Sequence, residues 1–196
     1  MKLCFATNNE HKLSEAKDIA GEDFEIVSLK EINCFEELPE TRPTLEGNSL
    51  QKAEFVFQKY KVPCFADDTG LEVEALNGEP GVFSARYAGE HKNSADNIDL
   101  LLNKLGTKLN RRARFRTVIT LLGLHEEPLY FEGVVDGTIT NKPSGTFGFG
   151  YDPVFIPEGF KKTYAEMNIQ EKSSLSHRAI AVKKLGEYLK NRIIPR

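Results

Sequence analysis

A chain of 196 residues, 40% hydrophobic and 28% charged, carries enough apolar material for a sizeable core and reads as a single bilobal domain over 1–196. Its net charge of −3 excludes a protein that holds nucleic acid by bulk electrostatics, yet leaves room for a small anion met by a local cluster of cations. Cys4, Cys34 and Cys64 are widely spaced, with no Cys-x-x-Cys or Cys/His cluster, which excludes a zinc or disulfide framework and points to reduced, buried thiols. No charged-then-apolar leader opens the chain, and the longest uncharged apolar run, 117–124, is too short to span a bilayer, so a cytoplasmic location is expected.

Residues 2–7 read as an apolar strand, after which Asn8 and Asn9 can cap a helix with Leu13, Ala16, Ile19 and Ala20 on one face. Such a junction aims backbone N–H groups and a helix dipole at whatever lies above it, which suits phosphate. Lys12 adds a full charge there; the plain alternative is simple capping and a solvated lysine. A second strand over 24–29 leads into an acidic loop with Glu36, Glu37 and Glu40. Pro43 and Thr44 open a helix to about residue 60, with Leu45, Ala53, Val56, Phe57 and Tyr60 near one stripe. Asn48 and Lys52, four apart, share another stripe and point at one ligand, unless Lys52 is merely an exposed helical lysine.

Residues 62–66 form a short buried strand that is expected to run out into Asp67-Asp68-Thr69-Gly70 at a glycine turn. Adjacent carboxylates at a strand end repel, so they serve a metal, proton transfer or a solvated turn. Residues 71–76 alternate as a half-buried strand, and Asn93 or Ser94 caps a helix with Ile98, Leu101, Leu102 and Leu105 inward, stopped by Gly106. Two long strands, 113–124 and 129–140, are joined closely enough for an antiparallel hairpin. The arginines at 111, 112, 114 and 116 are either a nucleic-acid stripe or, with only Phe115 interleaved, a solvated or interface face. Gly145, Gly148 and Gly150 let a backbone approach a ligand and offer Phe149, to stack on a base or to pack over the glycines. After an apolar strand at 154–156, a last helix is expected over 174–189, with Lys172 and Ser173 before its cap. His177 and Arg178 then sit against the positive end of its dipole, which hints at an anionic or oxygen-rich partner.

Sorted by chemistry, these residues divide the labour of a nucleotide hydrolase. Lys12 and Lys52 suit phosphates; Asp67, Asp68 and Glu40 suit magnesium; Phe149 suits a base, and Lys172, His177 and Arg178 its edge. Six motifs stand in order: Ala6-Thr-Asn-Asn-Glu-His-Lys12, Asn48-x-x-x-Lys52-Ala53, Ala66-Asp-Asp-Thr-Gly-Leu71, Gly81-Val-Phe-Ser-Ala-Arg-Tyr-Ala-Gly89, Gly148-Phe-Gly-Tyr-Asp-Pro153 and Glu171-Lys-Ser-x-x-Ser-His-Arg178. In these the chain resembles the inosine/xanthosine triphosphate pyrophosphatase family, which removes nonstandard purine nucleotides from the pool.

The resemblance implies an α/β fold with an elongated mixed β-sheet flanked by helices and two lobes with the active-site cleft between them. It implies a homodimer, while the net charge and the short apolar run lead to no expectation of a stable nucleic-acid or membrane partner. It also implies Mg²⁺-dependent hydrolysis of ITP, dITP and XTP to monophosphate and pyrophosphate. Carried over by position, Thr7, Asn8, Asn9 and Lys12 match a triphosphate-binding loop, and Asn48 and Lys52 match further substrate contacts. Asp68 matches a metal ligand and general base, with Thr69 touching substrate beside it; Asp67 and Lys52 complete the catalytic set. Phe149, Gly150, Tyr151, Asp152, Lys172, His177 and Arg178 match the nucleoside pocket. Glu40 matches a second metal ligand, although Glu40-Thr41-Arg42-Pro43 departs from the family's Glu-Thr-Gly, and Gly47 replaces an acid.

A carboxylate bound to Mg²⁺ is a poor proton acceptor, so Asp67 and Asp68 are expected to divide the ion and the water between them, Asp68 being the more sensitive. Donor-only Lys172, Arg178 and protonated His177 favour a keto oxygen over an adenine amine. The rival readings are a related-fold pyrophosphatase for modified pyrimidine or methylated nucleotides, with a loop richer in Ser and Arg, and a non-catalytic nucleotide or single-strand binding module. A sensor would lack the acids; a nucleic-acid binder would show steep salt dependence.

Overall fold

The computed structural model describes residues 2–20, 22 and 24–193, with side chains described as far as residue 191. In chain order the elements are β1 (Lys2–Phe5), α1 (Glu10–Ala20), β2 (Glu25–Val27), α2 (Leu45–Tyr60), β3 (Cys64–Val73), β4 (Pro80–Gly81), α3 (Ser94–Leu105), β5 (Arg112–Leu122), β6 (Leu129–Ile139), β7 (Phe155–Pro157), α4 (Ile169–Leu175) and α5 (His177–Ile193). The strands form one mixed sheet in the order β2-β1-β3-β5-β6-β7, with β4 paired to β3. β1 runs parallel to β2 and β3; β4 is antiparallel to β3, and β7 to β6. The class is the mixed α/β read from the sequence. Among the described residues no helix is long and apolar enough to cross a membrane.

Contacts within the chain divide it into two compact units. The first comprises Met1–Asp68, Thr117–Gly133 and Arg178–Arg196; the second comprises Thr69–Arg116 and Val134–His177. The first unit buries both faces of its sheet, and the pleat sorts the side chains. Leu3, Phe5 and Phe65 point to one face, where they join Ala16 and Ala20 of α1 and Ala181, Val182 and Leu185 of α5. The Phe5 and Phe65 rings stack there at 4.5 Å. Cys4, Ala6, Cys64 and Ala66 point to the other face, against Ala53 and Val56 of α2. All three cysteines are free and buried, and burial pushes the Cys4 and Cys64 thiols up to about 12. The second unit has its own core, built on Leu71, Val73, Leu101, Phe115, Phe155 and Tyr164.

Several expectations change. Asp67-Asp68-Thr69-Gly70 is no turn: β3 runs unbroken through it, held by the β1 register at Cys4↔Cys64 and Phe5↔Phe65 and by β4 at Leu71↔Gly81. Gly70 is there for closeness, since a Cβ would stand 2.6 Å from the Gly81 carbonyl oxygen. The final helix is two. Ser176 adopts an extended backbone (φ −71°, ψ 156°) between α4 and α5, so Lys172 lies inside α4, whose N-cap is Asn168, and His177 opens α5. The second strand is shorter than expected, covering only Glu25–Val27. The arginine run forms no free stripe. Arg111 donates to the Ile139 and Thr140 carbonyls, and Arg114 and Arg116 pair with Glu72.

Candidate active site

The α1 entry is built as its residue types require. Thr7 Oγ1 accepts from the Asn9 N–H (3.2 Å), and Asn9 Oδ1 accepts from the Lys12 N–H (3.1 Å), so Asn9 is the cap. Asn8 does not share that work: its amide reaches the backbone at Glu36 and Leu38. One turn into α1, Lys12 Nζ donates to Asp67 Oδ1 at 3.0 Å. The other Asp67 oxygen accepts from Arg178 Nε (3.2 Å) and Nη2 (3.1 Å), while Arg178 Nη1 bonds Glu15. Burial alone would raise the Asp67 carboxyl, but Lys12, Arg178 and Lys52 outweigh it and hold it well below the ordinary carboxylate range. Burial likewise works against Arg178, and Asp67 and Glu15 hold it above its ordinary value. Arg178 is thus held between two acids that lie far from it in the sequence.

Asp68 follows in the same strand and so faces the opposite side, toward α2. The two carboxylates are thus not a facing pair. Asn48 Nδ2 donates to Asp68 Oδ2 at 3.1 Å, and Lys52 Nζ lies 3.4 Å from Asp68 Oδ1 and 2.5 Å from Glu40 Oε1. Asn48 and Lys52 are 1% and 4% exposed, so the exposed-lysine alternative fails. The helix starts where Thr44 caps it, accepting from the Gly47 N–H, and its 3.6-residue period brings both side chains to β3. Burial is the main force on Asp68; Lys52 and Lys12 offset it only in part and Glu40 adds to it, leaving the carboxyl above its ordinary value. Burial would depress the Lys52 ammonium, but Asp68, Glu40 and Asp67 overcome it. Thr69, the next residue of β3, is half-buried.

Among the described residues no three His, Cys, Asp or Glu side chains gather into a metal cage. Mg²⁺ does not need one, because it takes one or two carboxylates and completes its octahedron with water and phosphate oxygens. Glu40 and Asp68, converging on one ammonium, are a hard oxygen set of that kind, and they fit the ion.

In the second unit Asp152 is the hub. Its Oδ2 accepts from the Phe149 N–H (2.8 Å) and from Lys172 Nζ (2.7 Å), and a Cβ at Gly148 (φ +75°) would fall onto that carboxylate. Lys172 Nζ also stands 4.9 Å from the Phe149 ring centre and 5.7 Å from that of Tyr164. Phe149, Asp152 and Lys172 are thus brought together, with Gly150 (φ +62°) in the same loop. Tyr151 is 4% exposed, its hydroxyl donating to the Ser84 carbonyl (2.9 Å). The His177 ring stacks on Phe115 at 4.6 Å. Sequence reasoning missed Glu15 and Gln51. The signal was available for Glu15, three residues beyond Lys12 on one helix face.

The fold has counterparts among solved proteins. The family model of the Ham1 family matches residues 3–188, and the chain belongs to that family. It is 53% identical over 189 residues to the dITP/XTP pyrophosphatase of Flavobacterium johnsoniae, covering 96% of this chain and 98% of that one. It is 54% identical over 189 residues to the dITP/XTP pyrophosphatase of Porphyromonas gingivalis, covering 96% and 97%. Among solved structures, the Staphylococcus aureus Ham1 protein superposes with a TM-score of 0.88 at 40% identity, covering 98% of this chain and all of that one. A Ham1 protein from Coxiella burnetii also gives 0.88, at 34% identity, covering 97% and 99%.

Proposed function

We propose that the chain hydrolyses nonstandard purine nucleoside triphosphates, ITP, dITP and XTP, to the monophosphate and pyrophosphate, with Mg²⁺ as cofactor, as a cytoplasmic homodimer. The observation that carries the reaction is Asp68: a buried carboxylate with a raised pKa, one oxygen fixed by Asn48 and the other facing Lys52. Near-full-length relatives named for dITP and XTP support the substrate class.

The chemistry needs a water in line with the α-phosphorus, an acceptor for its proton and cations for the phosphates. Asp68 orients the water and takes its proton; a carboxyl raised above its ordinary value is a better proton acceptor than an unshifted one. Asp67, with both oxygens engaged by Lys12 and Arg178, is not free for the water or the ion and acts as their counter-charge. The division of roles then falls between Asp68 and Glu40, with Glu40 the principal donor to the ion. Bound Mg²⁺ supplies charge neutralisation on the phosphates. Lys52 and Lys12 each have three N–H donors, which leaves capacity for phosphate oxygens beyond their carboxylate partners.

In the second unit Phe149 offers its ring to the base. Lys172, a donor-only group fixed by Asp152, favours the keto oxygen of hypoxanthine and xanthine over an adenine amine. The test is purified protein with Mg²⁺ and a panel of ITP, dITP, XTP, GTP and ATP, with pyrophosphate and orthophosphate detected separately. Pyrophosphate with the monophosphate from ITP, dITP and XTP is the expected outcome. Orthophosphate with the diphosphate, or no release, overturns the reading.

A further inference from the structure

Glu40 comes from the long connection between β2 and α2, yet its carboxylate meets Lys52 at 2.5 Å. Polar side chains grip that connection on both sides of Glu40. Upstream, Asn8 Nδ2 donates to the Glu36 carbonyl (3.0 Å) and Asn8 Oδ1 accepts from the Leu38 N–H (2.9 Å). One amide thus holds two backbone groups two residues apart. Downstream, Gln51 Oε1 accepts from the Thr41 N–H (3.0 Å) and Gln51 Nε2 donates to Thr41 Oγ1 (2.9 Å). Asn48 Oδ1 accepts from the Arg42 N–H at 2.8 Å. Gln51 immediately precedes Lys52 in α2, so one helical turn carries both the grip and the cation.

We propose that residues 36–42 form a strap, and that Gln51 and Asn8 are positioning residues that set where Glu40 delivers its carboxylate. Neither acts on substrate in this role; both act through Glu40. The idea rests on the reading of Glu40 as an Mg²⁺ donor. Mg²⁺ tolerates little departure from octahedral geometry, and groups that orient a metal-ligating side chain typically matter about 10–100-fold in metal affinity.

The experiment compares the full chain with Gln51→Leu, Gln51→Glu, Glu40→Gln and the double variant Gln51→Leu/Glu40→Gln. The readouts are the Mg²⁺ concentration for half-maximal pyrophosphate release from dITP and hydrogen exchange of the backbone over 36–42. Gln51→Leu should raise the Mg²⁺ requirement about tenfold. It should also speed exchange at Thr41, which Glu40→Gln leaves unchanged. Gln51→Glu keeps an acceptor for the Thr41 N–H and should restore most of the loss. The double variant should be little worse than Glu40→Gln alone, as two changes acting through one group are not additive. An unchanged Mg²⁺ requirement in Gln51→Leu, or full multiplication of the two effects in the double variant, overturns the proposal. If the wild-type protein releases no pyrophosphate, the functional reading fails by itself. Exchange at 36–42 then decides the strap, and unaltered exchange in Gln51→Leu overturns it.

Discussion

On one face of β3, Asp67 receives an ammonium and two guanidinium donors; on the other, Asp68 receives one amide and a more distant ammonium that it shares with Glu40. Both acids are buried, at 1% and 7% exposure, so burial alone cannot distinguish them. The difference lies in how much positive charge answers each. Asp67 is over-answered and driven below the ordinary carboxylate range; Asp68 is under-answered and held above it. Neighbouring acids whose surroundings push their pKa values apart take different roles, one holding structure and the other accepting a proton.

The comparison breaks most visibly at Asp68. Asp68→Asn should lower kcat about 10²–10⁴-fold with KM little changed, because it removes the proton acceptor and keeps the shape. Steady-state pyrophosphate release checks this, and the variant should unfold no earlier than wild type. Asp67→Asn should do the reverse. It strands Arg178 and Lys12 with less counter-charge, and breaking a buried pair from one side costs about 3–5 kcal/mol. Urea unfolding should show it before any specific loss of rate.

Acidity sharpens the contrast, because the two shifts have opposite signs. The contribution of Asp67 is fully present above its unfolded pKa, about 3.9, and is lost as the pH falls below that value. The deficit of Asp67→Asn should therefore shrink in strong acid. The contribution of Asp68 is present below about pH 4 and is lost as the pH rises through its folded pKa. Asp68→Asn should accordingly gain on wild type from about pH 4 upward, in unfolding midpoints followed across pH. The smallest effect lies outside the comparison and tests its limits. Lys172→Met should reduce the preference for ITP over ATP about tenfold, the worth of one hydrogen bond to a charged group, and leave both acid-side pH profiles unchanged.

Local chemistry was legible and distant pairing was not. Helix starts near Asn8 and Asn9, at Thr44 and at Asn93 or Ser94, and the α2 stripe of Asn48 and Lys52, follow from spacing and residue type; the structure narrows the caps to Asn9, Thr44 and Asn93. The strand through Asp67 to Gly70 was hidden because Asp and Gly are turn residues, and only the ladders with β1 and β4 override that preference. The pairing of Arg178 with Asp67 and Glu15 could not be read, because those partners lie far away in the chain and leave no local signature. The bond from the Tyr151 hydroxyl to the Ser84 carbonyl spans 67 residues and likewise left no local trace. The break at Ser176 arises from a backbone excursion of one residue that helical periodicity on either side conceals.

The alternation of side chains along β3 constrains the gene as well as the molecule. Losing or gaining one residue between Cys64 and Asp67 would turn every later side chain of the strand over, putting one acid in the other's place and moving the second out of the site. No point substitution has that effect. Segment length, as much as residue identity, therefore sets which acid meets which cation here.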